Sequence, residues 1–155
     1  FIGMGMVDDV VVSGPLKTTV HLKEDNINVD LRVFDDESFG SALLYFTGSK
    51  ETNIALRRIA INKKLKLSEY GVFKDQKLIA GTREEDVFKS LGMEYIEPEL
   101  RENTGEVEAA ILGELPKILG YNDIIGDLQT HTKWSDGSGS IIDMAQEARK
   151  WGMNM

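Results

Sequence analysis

The residues best suited to chemistry stand in one short stretch and on one nearby strand. Leu44-Tyr45-Phe46-Thr47-Gly48-Ser49 sets two aromatic rings just before a glycine, and Asn53 and Arg57 follow at a spacing of four. Thr47-Gly48 interrupts an apolar periodic run of Phe39, Leu43, Leu44 and Phe46. That predicts the end of one helix, because glycine leaves helical geometry at little cost. Ser49 is suited to cap a second helix, its hydroxyl accepting an orphan backbone N–H. On that helix Asn53 and Arg57 share a face. Two rings, a planar amide and a guanidinium around a backbone break can press on a sugar and a base edge while donating to groove acceptors. Core packing of Tyr45 and Phe46 is the competing reading.

The second chemical feature is Asp30. Ile27, Val29, Leu31 and Val33 alternate with Asn28, Asp30, Arg32 and Phe34, the period of a strand with an apolar and a polar face. Strand propensity disfavours a mid-strand carboxylate. Asp30 is either half of a surface pair with Arg32 or a metal-ligating carboxylate on a rigid strand. Phosphoryl transfer uses clustered carboxylates of that kind to hold two divalent ions.

These side chains need elements to hold them. Val10-Val11-Val12, ended by Ser13-Gly14-Pro15, predicts a buried strand and a turn. Lys17 to Leu22 predicts the next strand and Glu24-Asp25-Asn26 a turn, so the first 34 residues form an antiparallel meander. Asp35-Asp36-Glu37 supplies acidic caps for a helix over 38–46, and the second helix runs over 50–64. Leu65 to Tyr70 and Lys77 to Ala80 read as strands joined through Lys74-Asp75-Gln76. Thr82-Arg83-Glu84-Glu85 reads as a capping box opening a helix that ends at Gly92, with Pro98 in an extended segment beyond it. From 97 to 126 the chain reads as an acidic linker with a short helix near Glu106–Leu112. Ile141, Met144, Ala145, Ala148 and Trp151 predict an amphipathic helix, poorly held without a sheet to pack on.

Composition narrows the function classes. The 155 residues suffice for one ordinary domain or two small ones. There are no cysteines, which excludes disulfides and thiolate metal sites. No run approaches the ~20 apolar residues of a membrane span. The chain opens at Phe1 and closes in what reads as mid-element, the expectation for a piece of a longer protein. Net charge is −8, which alone argues against nucleic acid. Its distribution argues for it: residues 45–81 carry eight basic groups against three acidic ones, a cationic island between two acidic segments. A local phosphate-binding surface needs such an island; a solvated helix face beside a charged hairpin would look the same.

Tyr45-Phe46-Thr47-Gly48-Ser49, then Asn53 and Arg57, then Ser68-Glu69-Tyr70, together resemble the thumb of the family X, polymerase-β-like DNA polymerases. Val29-Asp30-Leu31-Arg32-Val33 resembles the strand that carries that family's third catalytic carboxylate. The likeness covers residues 5 to 100. It implies an α+β fold divided into the end of a palm (1–44), a thumb (45–100), a linker (101–126) and the truncated start of a further domain (127–155). It implies template-directed, gap-filling DNA synthesis in the parent protein. Asp30 would ligate Mg2+ (or Mn2+) and help to activate the primer 3′-hydroxyl, with Arg32 pairing with nearby carboxylates. Tyr45, Phe46, Gly48 and Asn53 would hold the deoxynucleoside triphosphate. Backbone crowding at Tyr45 would exclude a 2′-hydroxyl, and Asn53 would contact the minor-groove edge of the incoming base. Arg57, Arg58 and Lys64 would meet DNA, while Glu69 and Tyr70 brace the fold. The family usually has an arginine where this chain has Asn28, and Ile54 removes a possible template contact. The implied partners are gapped or primed DNA and a deoxynucleotide, for a monomeric, cytoplasmic, prokaryotic protein away from membranes.

Asp127-Leu128-Gln129-Thr130-His131-Thr132-Lys133-Trp134-Ser135-Asp136-Gly137 resembles the opening motif of the PHP metallo-phosphoesterase domain. That implies Zn2+ or Mn2+ in the parent, with His131 and Asp136 as ligands. Gln129 stands where the motif carries its first histidine, and a carboxamide is a poor ligand for such metals. The competing functions are a non-templated nucleotidyltransferase, a DNA-binding module without chemistry, and a PHP phosphoesterase.

Overall fold

Strand periodicity over the first residues builds an antiparallel meander of β1 (Val7–Ser13), β2 (Lys17–Leu22) and β3 (Ile27–Arg32), in the order β1-β2-β3. Register pairs Lys17 with Arg32, Thr19 with Asp30 and His21 with Asn28. That places Asp30 on the central pairing, on the same strand face as Arg32. The structure, a computed structural model, describes residues 1–153.

The expectation of a buried first strand is not met. Val10, Val11 and Val12 are all exposed, as are Ile27 and Leu31 on β3 and Val33 just past it. Periodicity reports which side chains could be covered, and among the described residues no second layer covers them. Val20 alone in this sheet is a buried hydrophobic residue.

Two helices follow, α1 (Asp36–Thr47) and α2 (Lys50–Asn62), separated at Gly48-Ser49. The second sheet has one strand more than expected: β4 (Lys66–Ser68), β5 (Gly71–Lys74) and β6 (Lys77–Ala80), ordered β4-β5-β6. The missed strand is β5, which lies between Tyr70 and the Lys74-Asp75-Gln76 turn. The turn between β5 and β6 puts Asp75 and Gln76 both at positive φ, 47° and 68°, the backbone of a tight hairpin turn.

Helix α3 (Glu84–Ser90) starts at Arg83 without any side-chain cap, so the expected capping box does not form. The Thr82 carbonyl instead accepts the Gly40 N–H at 3.1 Å, and the Glu85 carboxylate takes the Arg83 guanidinium at 2.8 Å. Pro98 opens a short 3-10 turn, Pro98–Leu100, rather than an extended segment. Helix α4 (Glu106–Leu112) forms where expected and buries Val107 and Ala110.

One hydrophobic core gathers α1 to α4 and β5: Leu44, Leu56, Ala60, Val72, Val87, Phe88, Leu91 and Ile96, closed by Val107 and Ala110 of α4. The chain separates into two units, Phe1–Leu115 and Pro116–Met155. In the second unit α5 (Ile141–Lys150) is capped by Ser140 and Asp143 in a reciprocal capping box, and none of its residues is buried. The helix nonetheless forms where expected, with Met144, Ala145 and Ala148 of its apolar side half-buried.

Helix α1 docks through glycine. Gly40 and Ser41 donate backbone N–H bonds to Thr82 and Gly81 at 3.1 and 2.9 Å. A Cβ at Gly40 would lie 2.4 Å from the Arg83 Cα. In an exposed helix, Gly→Ala stabilises by roughly 1 kcal/mol. Here the sign should reverse: Gly40→Ala is expected to destabilise by about 2 kcal/mol through overpacking against main chain. A rise in midpoint on chemical denaturation would contradict this docking.

Candidate functional site

The break between α1 and α2 forms the wall of a cleft of about 600 Å³ lined by Tyr45, Phe46, Thr47, Gly48, Ser49, Lys50, Asn53, Ile54 and Arg57. Gly48 sits at φ 81°, ψ −155°, a conformation that strains any L side chain. Space is not the constraint, because a Cβ there would meet only the Lys50 nitrogen at 3.5 Å. Three hydrogen bonds fix the break. Gly48 N–H donates to the Leu44 carbonyl at 3.2 Å, and Ser49 N–H to the Arg101 carbonyl at 3.0 Å. Thr52 N–H donates to the Ser49 hydroxyl oxygen at 3.2 Å, the cap expected for α2.

Inside the cleft the four chemical groups touch one another. The Asn53 amide donates to the Tyr45 carbonyl at 2.8 Å, which leaves its second N–H and its oxygen uncommitted. The Arg57 guanidinium stacks over the Tyr45 ring at 5.2 Å, inside cation–π range. Tyr45 meets Phe46 edge-on with ring centroids 4.9 Å apart. Tyr45 is half-buried, whereas Phe46 is 53% exposed. Neither ring belongs to the hydrophobic core, so core packing does not account for the pair.

Asp30 does not line this cleft. Its Oδ1 accepts from the Thr19 hydroxyl at 2.6 Å, and its Oδ2 pairs with Lys17 Nζ at 3.0 Å. The expected Asp30–Arg32 pair is therefore replaced by Asp30–Lys17. Arg32 does not pair with a carboxylate either: among the described residues its guanidinium lies over the Phe34 and Phe46 rings, at 5.6 and 5.5 Å. Arginine's delocalised, weakly hydrated charge suits an aromatic face, and the neighbouring carboxylate is already taken by Lys17. Arg32 thus connects the face of β3 that carries Asp30 to the aromatic edge of the cleft.

A lone carboxylate does not make a divalent-cation site, and the described residues bring together no group of three or more His, Asp or Glu able to hold a metal. The remaining candidates fall around this frame. Tyr70 packs its ring on Phe34 at 5.6 Å and accepts the Ser38 hydroxyl at its carbonyl, a bracing role. Glu69 makes no side-chain hydrogen bond or ion pair among the described residues. Arg58 and Lys64 are exposed, and Lys64 lies just past α2 beside a second concavity with Lys66 and Phe73. In the second unit, His131 Nδ1 and Asp136 Oδ1 bond to each other. That bond holds the Asp136 carboxyl below its usual range. Arg101, missed in the sequence, is fully buried and supplies the carbonyl that holds Ser49. Nothing local distinguished it within the acidic run Glu99-Leu100-Arg101-Glu102.

The Asp30 carboxyl is held below the ordinary aspartate value, first by the Thr19 hydroxyl and then by Lys17, with slight desolvation opposing them. A depressed carboxylate adds stability above its unfolded pKa and loses it as pH falls through the folded one. In a carboxyl-detected NMR titration Thr19→Val and Lys17→Ala should each move the Asp30 midpoint upward. An unmoved midpoint would mean that the Thr19 contact is not formed in solution.

Comparison with known proteins matches residues 42–102 to the DNA polymerase beta thumb family. The Bacillus subtilis DNA polymerase/3′-5′ exonuclease PolX is 36% identical over 149 residues, 94% of this chain but 26% of its own length. Human DNA-directed DNA/RNA polymerase mu is 40% identical over 78 residues, 48% of this chain and 16% of the relative. A Leishmania infantum polymerase beta structure, described as a ternary gap complex, aligns with TM-score 0.55 and 28% identity over 63% of this chain and 45% of that one. This chain therefore spans about a quarter of the Bacillus protein. The glycine break that walls the cleft falls inside the matched thumb, and these likenesses support a family X, polymerase-β-like DNA polymerase.

Proposed function

We propose that this chain forms the nucleotide-facing part of a template-directed DNA polymerase that adds deoxynucleotides to a primer 3′-hydroxyl in gapped DNA. The observation that carries the reading is the cleft at the α1–α2 break. Its Tyr45 and Phe46 rings, the free half of the Asn53 amide and the Arg57 guanidinium converge there. The exposed Phe46 ring offers a face for a sugar. Asn53 keeps one N–H for purine N3 or pyrimidine O2, acceptors present in every base pair, so the contact tests pair geometry rather than sequence. Arg57, held against Tyr45, is placed to make the same test on the template base. The cationic residues Arg58 and Lys64 lie on and after the same helix and supply phosphate contacts.

Asp30 would contribute one carboxylate to a divalent cation, Mg2+ or Mn2+, for which the described residues bring together no further ligands. Such a cation supplies charge stabilisation to the transferring phosphoryl group. What this chain itself does is hold that carboxylate ionised, through Thr19 and Lys17. Residues 127–137 belong, in the same reading, to the opening of a PHP domain. The His131–Asp136 bond fits a ring whose far nitrogen is aimed by a carboxylate.

A second reading, non-templated nucleotide addition, has one observation in its favour: a Xenopus laevis relative is a DNA nucleotidylexotransferase, 36% identical over 75 residues. Template reading needs Asn53 and Arg57; tailing does not. In the full-length protein that carries this chain, Asp30→Ala should lower gap-filling at least about a hundredfold. Asn53→Ala with Arg57→Ala should raise misincorporation. Near-normal turnover in the first variant removes Asp30 from the reaction, and unchanged fidelity in the second favours tailing. Residues 1–155 alone should incorporate no nucleotide, since among the described residues Asp30 joins no cluster of three or more possible ligands. DNA binding by that piece, steeply salt-dependent and indifferent to nucleotide, would leave it a binding module.

A further inference from the structure

The largest fully buried side chain of the described residues is charged. Arg101 is 1% exposed, and burying a guanidinium is expensive unless it is paired. Its Nη1 bonds Glu84 Oε1 at 2.7 Å, with the two side chains 1% and 9% exposed. Its Nε donates to the Ile96 carbonyl at 2.9 Å. The guanidinium lies over the Phe88 and Tyr95 rings at 5.5 and 5.4 Å. Tyr95 donates its hydroxyl to the other Glu84 oxygen at 3.1 Å. Burial, then the Glu84 charge, pushes the phenol up to about 12, so it stays a donor throughout the physiological range.

Few of these contacts touch the cleft, yet the network ends on it. The Arg101 main-chain carbonyl accepts the Ser49 N–H at 3.0 Å. At the other end, Glu84 opens α3, whose lead-in holds α1 through the Gly40–Thr82 and Ser41–Gly81 bonds. The contacts close a ring that runs from α1 to the Gly81–Thr82 turn, to Glu84, to Arg101, to Ser49 and into α2. A glycine at positive φ leaves two helices free to hinge, and the ring removes that freedom.

We propose that Arg101 is a positioning residue for nucleotide selection: held by Glu84 and Tyr95, it sets the angle between α1 and α2 and hence the width of the sugar pocket at Tyr45-Phe46. The inference rests on the polymerase reading above. It assigns the buried pair a task that stability alone does not explain, because an apolar replacement of similar volume often folds as well or better.

The test uses the full-length polymerase, single-nucleotide gapped DNA, and paired deoxy- and ribonucleoside triphosphates. Arg101→Lys keeps the charge and loses the fork; Glu84→Gln is the milder change and remains interpretable if the lysine variant does not fold. The readout is the ratio of kcat/KM for deoxynucleotide over ribonucleotide. The fraction of folded enzyme cancels from that ratio, so a merely structural role leaves it unmoved. We expect the ratio to fall about tenfold in Arg101→Lys and severalfold in Glu84→Gln, a size in keeping with sub-ångström misplacement. The KM for deoxynucleotide should rise, with affinity for gapped DNA within about twofold of the parent. An unchanged ratio in either folded variant overturns the inference. Failure of the unsubstituted enzyme to fill the gap, or to prefer deoxynucleotide, overturns instead the reading on which it rests.

Discussion

A single main-chain hydrogen bond, from Ser49 N–H to the Arg101 carbonyl, constrains the part of this molecule that matters. Gly48 must sit at positive φ for the chain to leave α1 and start α2. A glycine that permits this conformation does not by itself enforce it. Enforcement comes from partners on either side: the Leu44 carbonyl behind the break, the Ser49 hydroxyl ahead of it, and Arg101 from far along the chain. The first two are local and would form in an isolated helix pair. The third comes from far along the chain, and with the Asn53–Tyr45 bond and the shared core it fixes how the two helices are inclined. Leaving a half-buried N–H unsatisfied costs about 1–3 kcal/mol, enough to keep the break in one state.

The way Arg101 is held shows how a charge is made tolerable in a small core. Glu84 neutralises it, Ile96 takes one N–H, and the rings of Phe88 and Tyr95 cover its faces. Phe88 and Tyr95 meet edge-on at 5.5 Å, so the aromatic walls are themselves braced. Nη2 remains buried without a partner among the described residues. A core selected for stability alone would place a methionine or leucine there. The same two rings also pack against the hydrophobic cluster of α3 and the residues after it, so the polar network and the apolar core share their walls.

What the sequence made legible was local. The glycine break, the Ser49 cap, the common face of Asn53 and Arg57, and the period-two alternation around Asp30 each depend on neighbours within a turn or a strand. They reappear in the structure at the expected residues. What stayed hidden was decided at long range. Thr82 looked like a cap because its hydroxyl could serve Glu85, but its carbonyl is claimed by Gly40 and the capping geometry is lost. Val10-Val11-Val12 looked buried because apolar runs usually are, yet burial depends on a second layer. Arg32 looked like a partner for carboxylates because that is the commonest fate of an arginine beside an aspartate. Lys17, directly across the ladder from Arg32, reaches Asp30 first.

That displacement has a structural consequence. With Asp30 satisfied by Thr19 and Lys17, Arg32 is free to lie against both the Phe34 and Phe46 rings, and Phe34 in turn packs on Tyr70 at 5.6 Å. The strand that carries the carboxylate and the helix end that carries the cleft are therefore joined by a guanidinium resting against a pair of rings, not by an ion pair. The two kinds of joint behave differently. An exposed ion pair weakens with salt, whereas a stacked guanidinium keeps most of its contact through dispersion and the ring quadrupole. In a chain of net charge −8 with eight cations in residues 45–81, of which Lys50 and Arg57 line the cleft, the local field responds strongly to any change of charge nearby. A joint made of stacking can hold β3 against α1 through that change, where a carboxylate partner would compete with phosphate for the arginine.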